Sequence, residues 1–262
     1  MLFCIQIINN MISKSKIKLI GSLEHKRFRN ETGLFLAEGP KLVADLMQSF
    51  KPQYIAATQS WAENNRNLFH APETDIVTQD ELERASLLRT PQQVLALFHI
   101  PDYKLDTDIA NHNLVLVLDG VQDPGNVGTI IRIADWFGIK DIVCSQQTAD
   151  AYAPKTVQAT MGALARVHMH YCDLNDFFAE LDKTTPVYGT LLDGENIYST
   201  PLQNNGIIVM GNEGNGISQQ IRSYINQSLL IPSFPVGETT SESLNVAIAT
   251  AIVCSEFRRR TH

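Results

Sequence analysis

The chain has 262 residues, 44% hydrophobic and 19% charged, with a formal net charge of −7. This composition suits a globular protein with a sizeable core. No apolar run approaches the ~18 residues of a membrane helix, and the acidic balance argues against a uniformly basic nucleic-acid binder.

The opening segment "MLFCIQIINN" has no preceding positive charge and no small-residue cleavage site, so it does not read as a signal peptide. Residues 1–10 are expected to be an extension, with the ordered chain starting near Met11. Between Lys14 and Arg29 lie Lys14, Lys16, Lys18, Lys26, Arg27 and Arg29 against one acid, Glu24. In an acidic chain this local bias points to a patch that faces phosphates. Strand-like runs follow at "GLFLAEG", "YIAAT", "TDIVT" and "VLALFHI", with helix-like pieces at 40–49 and 79–88. The polar stretch 100–113 reads as a linker between domains at 11–99 and 114–262.

Past the linker, strand patterns at "LVLVLDG", "DIVCS", "ARVHMHY", "VYGTLL", "GIIVMGN" and "SLLIPS" alternate with helix-like stretches at 126–137, 173–182, 217–225 and 243–258. Such alternation predicts an α/β fold with a parallel sheet. "NLVLVLDG" lacks polar alternation, so its strand is expected to be covered on both faces. His168 and His170 flank a strand and read as structural; no metal set is expected. Cys4, Cys144, Cys172 and Cys254 form no CxxC pair, which suits scattered thiols in a cytoplasmic protein. Arg258, Arg259 and Arg260 read as a solvated, frayed tail.

Three segments carry chemistry. In "DPGNVGTIIRIAD", Asn126 is a candidate helix cap and Gly138 a helix stop. Val127, Ile130, Ile131, Ala134 and Phe137 form an apolar stripe, and Arg132 falls off it. Arg132 is placed either to meet an anion near the helix start or to pair with Asp135. In "VMGNEGNGIS" an apolar strand runs into a loop with Gly211, Gly214 and Gly216, where bare backbone can approach a ligand. The spacing fits neither GxGxxG nor a P-loop, and Glu213 is an acid that a plain turn does not need. In "IPSFPVGETTSESLNVAIATAI" a strand ends at Ile231-Pro232, Ser243 and Asn245 are candidate capping residues, and Leu244, Ala247, Ile248, Ala251 and Ile252 are expected on the buried side of a helix.

Together these segments closely resemble the SpoU (TrmH-like) family of RNA methyltransferases in the SPOUT superfamily. N-x-G-x-x-x-R matches Asn126, Gly128 and Arg132. G-x-E-G-x-G matches Gly211, Glu213, Gly214 and Gly216. A strand ending in I-P, followed by S-L-N-V, matches Ile231-Pro232 and Ser243 to Val246. Upstream, "KIKLIGSLEHKRFRNETGLFLAEGPKLVADLM" looks like the small ribosomal-protein-like α/β domain often fused to these enzymes, adding Lys41 to the expected RNA contacts. "TPQQVLALF" looks like the segment leading out of it, with Gln93 where the family usually has glycine.

The resemblance implies a trefoil-knot domain, a homodimer formed through it, and S-adenosylmethionine held largely by main chain. The implied cofactor contacts are Thr190, Leu191, Gly211, Gly214, Gly216, Ile231 and Leu244. Arg132, Asn126, Glu213, Ser243 and Asn245 are the implied catalytic set, and the implied reaction is ribose 2′-O-methylation of RNA, ribosomal before transfer RNA. A guanidinium keeps its proton and offers no acceptor, so Arg132 fits phosphate anchoring and oxyanion stabilisation better than a base role. Three other readings stay open: a non-catalytic RNA-binding protein on this fold, a methyltransferase acting on a base, and a small-molecule α/β enzyme.

Overall fold

The computed structural model describes residues 11–235, 238 and 241–260. The expected extension at 1–10 lies outside them. The chain forms two compact units: one runs to Asp102 and includes Tyr152–Ala165, and the other holds Tyr103–Ala151 and the chain from Arg166 onward.

The first unit begins with α1 (Lys14–Ser22), capped by Ser13, and α2 (Lys26–Thr32), which ends at Gly33 with φ +64°. It continues through β1 (Leu34–Glu38), α3 (Pro40–Leu46), β2 (Pro52–Thr58), α4 (Gln59–Asn64), β3 (Glu73–Val77), α5 (Gln79–Ala85) and β4 (Val94–His99). The sheet order is β1-β4-β2-β3, with only the β2–β3 pair parallel. Alternation sorts its side chains. Leu34, Leu36, Tyr54, Leu95 and Leu97 join Ile20, Leu23 and Leu82 in one cluster. Phe35 instead meets Phe50, Phe98 and Tyr152, with ring centroids 5.2, 5.6 and 5.2 Å away. Tyr152 opens the segment that returns to this unit, and that segment's helix, Pro154–Thr160, packs on β1. A single boundary at 100–113 therefore misses this second crossing. The stretch is also more than a linker: Thr107–Asn111 form a 3₁₀ turn, Ala110 is fully buried, and Leu105 and Ile109 pack on the core of the second unit.

The second unit contains β5 (Leu114–Asp119), α6 (Pro124–Trp136) and β6 (Asp141–Ser145). The chain then leaves for the first unit through α7 (Pro154–Thr160). It returns as β7 (His168–Cys172), α8 (Leu174–Ala179), β8 (Val187–Asn196), β9 (Gly206–Gly211), α9 (Gln219–Arg222), β10 (Gln227–Leu230) and α10 (Val246–Arg259). The sheet order is β10-β8-β9-β5-β6-β7, every pair parallel. Leu114 to Leu118 are all buried, as expected of a strand covered on both faces.

The cap of α6 moves, and of the two candidates before α10 the structure uses Asn245. Asp123, not Asn126, caps α6, accepting from Asn126 N at 2.8 Å with Pro124 in the first turn. Asn245, not Ser243, caps α10, accepting from Ala247 N and Ile248 N at 3.0 and 3.3 Å. The buried face of α10 also differs from the expected stripe. Val246, Ala247, Thr250, Val253, Cys254 and Phe257 are buried, whereas Leu244 and Ile248 are 48% and 54% exposed. Apolar residues nearly encircle this helix, so the pattern left its phase ambiguous. Thr250 fits inside because its hydroxyl donates to Val246 O at 2.7 Å.

The C-terminal arginines are a structural clamp rather than a frayed tail. Arg258 Nε donates to Phe137 O at 2.7 Å. Arg259 and Arg260 both pair with the buried Glu256, and Arg260 also donates to the carbonyls of Ile197, Tyr198 and Thr200.

Gln93 has φ +43°, a left-handed conformation, at the position where the family resemblance has glycine. Its side chain is exposed, so it can be removed without opening a cavity. Gln93→Gly is expected to stabilise the protein by about 1 kcal/mol, a rise in Tm of roughly 2–4 °C in thermal denaturation.

Candidate active site

The parallel sheet of the second unit puts the carboxyl ends of β8, β9, β10 and β5 on one side. The three motif loops leave from there. Asn212 shapes the glycine loop after β9: its Oδ1 accepts from Gly214 N and Asn215 N, and its Nδ2 donates to Gly120 O at 2.7 Å. Asn212 and Gly216 exchange two main-chain bonds of 2.9 Å, closing the loop. Gly211 is required for this closure, since a Cβ there would sit 2.2 Å from Gly216 C. Asp119 Oδ2 accepts from Ser218 N at 2.7 Å and fixes the loop's exit. Neither Asn212 nor Asp119 was singled out from the sequence. The turn-forming habit of Asn among glycines was the available signal.

Glu213 sits at the loop's tip. Its carboxylate accepts from Gln122 N at 3.2 Å, Asp123 N at 3.3 Å and Asn126 Nδ2 at 3.0 Å. Asn126 Oδ1 in turn accepts from Asn245 Nδ2 at 3.0 Å. The three motifs are thus joined by one hydrogen-bonded path, Glu213–Asn126–Asn245. Burial pushes the Glu213 carboxyl up, but the bonds from Asn126 and from main-chain N–H groups outweigh it and hold it below the ordinary carboxylate range.

Arg132 is exposed on α6 and makes no hydrogen bond or ion pair among the described residues. The alternative partner, Asp135, is held by both arms of Arg166 at 2.8 and 2.7 Å. Ser243 is exposed and is not part of the Glu213–Asn126–Asn245 path.

The residues expected to touch a cofactor lie around the ends of three neighbouring strands. β8 pairs with β10 at Gly189↔Ser228 and then only at Glu195↔Leu229, so Thr190 to Gly194 have no partner on β10. Thr190 and Leu191 open this unpaired stretch, and Thr190 Oγ1 donates to Val209 O at 3.2 Å. Gly211 ends β9, and Ile231 follows β10, half-buried. A Cβ added at Gly214 would meet nothing closer than 3.6 Å, and one at Gly216 nothing within 4 Å. These positions offer bare main chain, and the exposed Leu244 directly precedes Asn245 in the chain. That fits a ligand held through backbone groups.

In the first unit, Lys14, Lys18, Lys26, Arg27 and Lys41 are exposed. Lys16 pairs with Glu73 and lies 4.4 Å over the Tyr54 ring. Arg29 departs from the expected patch: it is 2% exposed, and its guanidinium donates to Leu23 O and Glu24 O at 2.7 and 3.0 Å. It locks the α1–α2 turn and does not face outward. His168 and His170 tie the edge strand β7 to β6 through Asp141 Oδ1, at 3.2 and 3.0 Å. Burial raises the Asp141 carboxyl, and the two imidazoles outweigh it, so the net direction is down.

Comparison with known proteins identifies the family of the chain. Residues 113–255 match the family model described as the SpoU rRNA Methylase family, and residues 14–96 match the MRM3-like substrate binding domain. A 23S rRNA (guanosine(2553)-2′-O)-methyltransferase of Bacillus subtilis is 31% identical over 93% of this chain and 96% of its own length. The structure of a putative RNA methyltransferase of the TrmH family from Porphyromonas gingivalis superposes with a TM-score of 0.87 at 40% identity, covering 96% of this chain and all of that one. An AdoMet-bound rRNA methyltransferase from Sinorhizobium meliloti gives 0.83 at 26% identity over 97% and 98% of the two chains.

The depressed Glu213 carboxyl predicts a pH signature. Its contribution is present at neutral pH and lost as pH falls through the folded-state value. Glu213→Gln is expected to lower stability at pH 7 by about 1 kcal/mol, a charge-assisted contribution discounted for exposure. The gap in denaturation midpoint should narrow as pH falls below the ordinary glutamate range. Asn245→Ala should cost about 1 kcal/mol of helix capping, whereas Asn245→Asp should retain the cap and lose only the donor to Asn126.

Proposed function

The chain belongs to the SpoU family of rRNA methylases, and we propose that it methylates a ribose 2′-hydroxyl of ribosomal RNA, working in the cytoplasm as a homodimer. The observation that carries the reading of the site is the Glu213–Asn126–Asn245 path, which joins three distant motifs, with Arg132 exposed further along the same helix as Asn126.

S-adenosylmethionine is the methyl donor. When bound, it supplies an electrophilic methyl group on a sulfonium. Thr190, Leu191, Gly211, Gly214, Gly216, Ile231 and Leu244 are the residues that would hold it, through the unpaired backbone of β8 and the open glycines. The chain's own task is alignment and charge control. Arg132 holds the phosphate next to the target ribose and stabilises the oxygen as its proton leaves. Asn126, clamped between Glu213 and Asn245, keeps the first turn of α6 in place, so Arg132 projects from a fixed helix. Ser243 stands free at the approach to α10 to meet the ribose.

The subunit reading is supported by apolar side chains left outside on α6, on α10 and just before α10. Trp136 is 85% exposed, Ile248 54% and Leu244 48%, and a pairing of these faces would cover them. RNA affinity falls to the first unit, where Lys14, Lys18, Lys26, Arg27 and Lys41 are exposed for phosphates.

Labelled methyl transfer to ribosomal RNA from a strain lacking the gene, followed by mapping of the modified nucleotide, tests the reaction. Incorporation at a ribose is expected, and label on a base, or none, would refute it. Arg132→Ala should bind the donor and remain dimeric while losing roughly 100-fold or more in methyl transfer. Unchanged turnover would take Arg132 out of the mechanism.

A further inference from the structure

A second cleft opens on the same end of the parallel sheet, next to the site already described. It has a volume of about 400 Å³ and lies over the carboxyl ends of β5, β6, β7 and β9. The chain winds from β5 outward to β6 and β7, while β9 pairs on the other side of β5. The β5–β9 boundary is thus where the winding direction reverses, the place where open α/β sheets form their ligand crevices. The volume falls within the ~300–1,000 Å³ of small-ligand sites.

The floor of the cleft is fixed by buried hydroxyls. Ser145 Oγ accepts from Gly120 N at 3.0 Å and contacts Thr148 Oγ1 at 3.1 Å, and Thr148 Oγ1 donates to Leu118 O at 2.9 Å. The walls have a different chemistry. Gln122, Gln146, Gln147, Asn215 and Gln220 line the cleft, and none of their side-chain amides has a hydrogen bond among the described residues. Its charged residues are two carboxylates, Asp119 and Asp173, which accept from Ser218 N and Asn175 N; no Lys, Arg or His lines it, so a phosphate finds no cation there. No aromatic ring lines it either, so an apolar ligand has little to gain. Carboxamides present a donor and an acceptor side by side, the pattern that reads a base edge. The cleft also shares its walls with the motif junction: Gln122 is held through its N–H by Glu213, and Asn215 and Gly216 belong to the glycine loop.

From this arrangement we infer that the cleft receives one unpaired nucleobase of the substrate RNA, beside the ribose that is methylated, and reads its hydrogen-bonding edge with Gln146, Gln147 and Gln220. The inference rests on the RNA methyltransferase reading and names the specificity element of that site. Sequence-specific RNA recognition works through splayed, unpaired bases of this kind. The rigid floor sets how deep the base enters, and the free amides set which base fits.

The test uses the full-length protein, S-adenosylmethionine and a transcript spanning the mapped site. The triple variant Gln146→Ala/Gln147→Ala/Gln220→Ala changes exposed side chains only, so its Tm and donor affinity should match the wild type. Its KM for the transcript should rise roughly tenfold or more with kcat nearly unchanged. A panel of transcripts, each with one base near the modified ribose replaced, should show wild-type discrimination at one position that the triple variant lacks. Wild-type KM and unchanged discrimination in the variant would overturn the cleft proposal while leaving the enzyme reading intact. If the wild-type protein methylates no RNA, both readings fall.

Discussion

The path Glu213–Asn126–Asn245 is the constraint on which the candidate site depends, because its polarity is fixed at both ends. Asn245 must turn its oxygen toward the N–H groups of Ala247 and Ile248 to cap α10. Its amide nitrogen then points away as a donor, and Asn126 must meet it with oxygen. The amide nitrogen of Asn126 is left to face Glu213, which as a carboxylate can only accept. Every amide orientation follows from the helix at one end and the charge at the other. Aspartate at 126 would offer no donor to Glu213, and serine at 245 would cap α10 but could not reach both ways. The residue types are therefore dictated by a local chain of donors and acceptors, independently of the chemistry they serve.

That path works because the backbone around it has been stripped of competing partners. Asp123 takes over the cap of α6, which frees Asn126 from that duty. Gly211 lets the loop after β9 fold back on Gly216, bringing Glu213 over the start of α6. On the far side of β9, the five residues Thr190 to Gly194 drop out of the β8–β10 ladder. An all-parallel sheet would otherwise bury its polar backbone completely. The interruption leaves N–H and C=O groups without a strand partner, and such groups need a ligand or water. Gly194 makes the return possible, since a Cβ there would sit 2.6 Å from the backbone of Leu229.

Much of this was legible in the sequence, and the failures have physical causes. Strand positions were readable because each carries a dense apolar run bounded by turn residues. The three motifs were readable as motifs, but not their division of labour. Asn126, Ser243 and Asn245 all look like caps by residue type, and geometry gives the two places to Asp123 and Asn245. The buried side of α10 could not be phased because Ala, Ile and Val surround it, and Thr250 and Glu256 enter the interior only through hydrogen bonds and ion pairs that no periodicity encodes. Arg29 and Arg258 to Arg260 were counted as charge, yet their partners are mainly carbonyl groups made available by tertiary folding. The return of Tyr152–Ala165 to the first unit was hidden for the same reason: its anchor, Tyr152 against Phe35, joins residues over a hundred positions apart.

The charge distribution follows from that sorting. The protein carries a net charge of −7, which by itself opposes a polyanionic substrate. Phosphate binding, however, depends on how many unpaired cations can displace counterions at the contact, and not on the sum over the molecule. Many arginines of the second unit are already committed: Arg166 to Asp135, Arg222 to Asp193, and Arg258 to Arg260 to carbonyls and Glu256. Lys14, Lys18 and Lys41 in the first unit, and Arg132 in the second, make no ion pair among the described residues. Net acidity then lowers attraction for nucleic acid in general, while the cations without an ion pair, Lys14, Lys18, Lys41 and Arg132 among them, decide where a phosphate can rest. The cleft lined by carboxamides has no Lys, Arg or His of its own, so it adds little nonspecific affinity and leaves discrimination to its hydrogen-bonding groups.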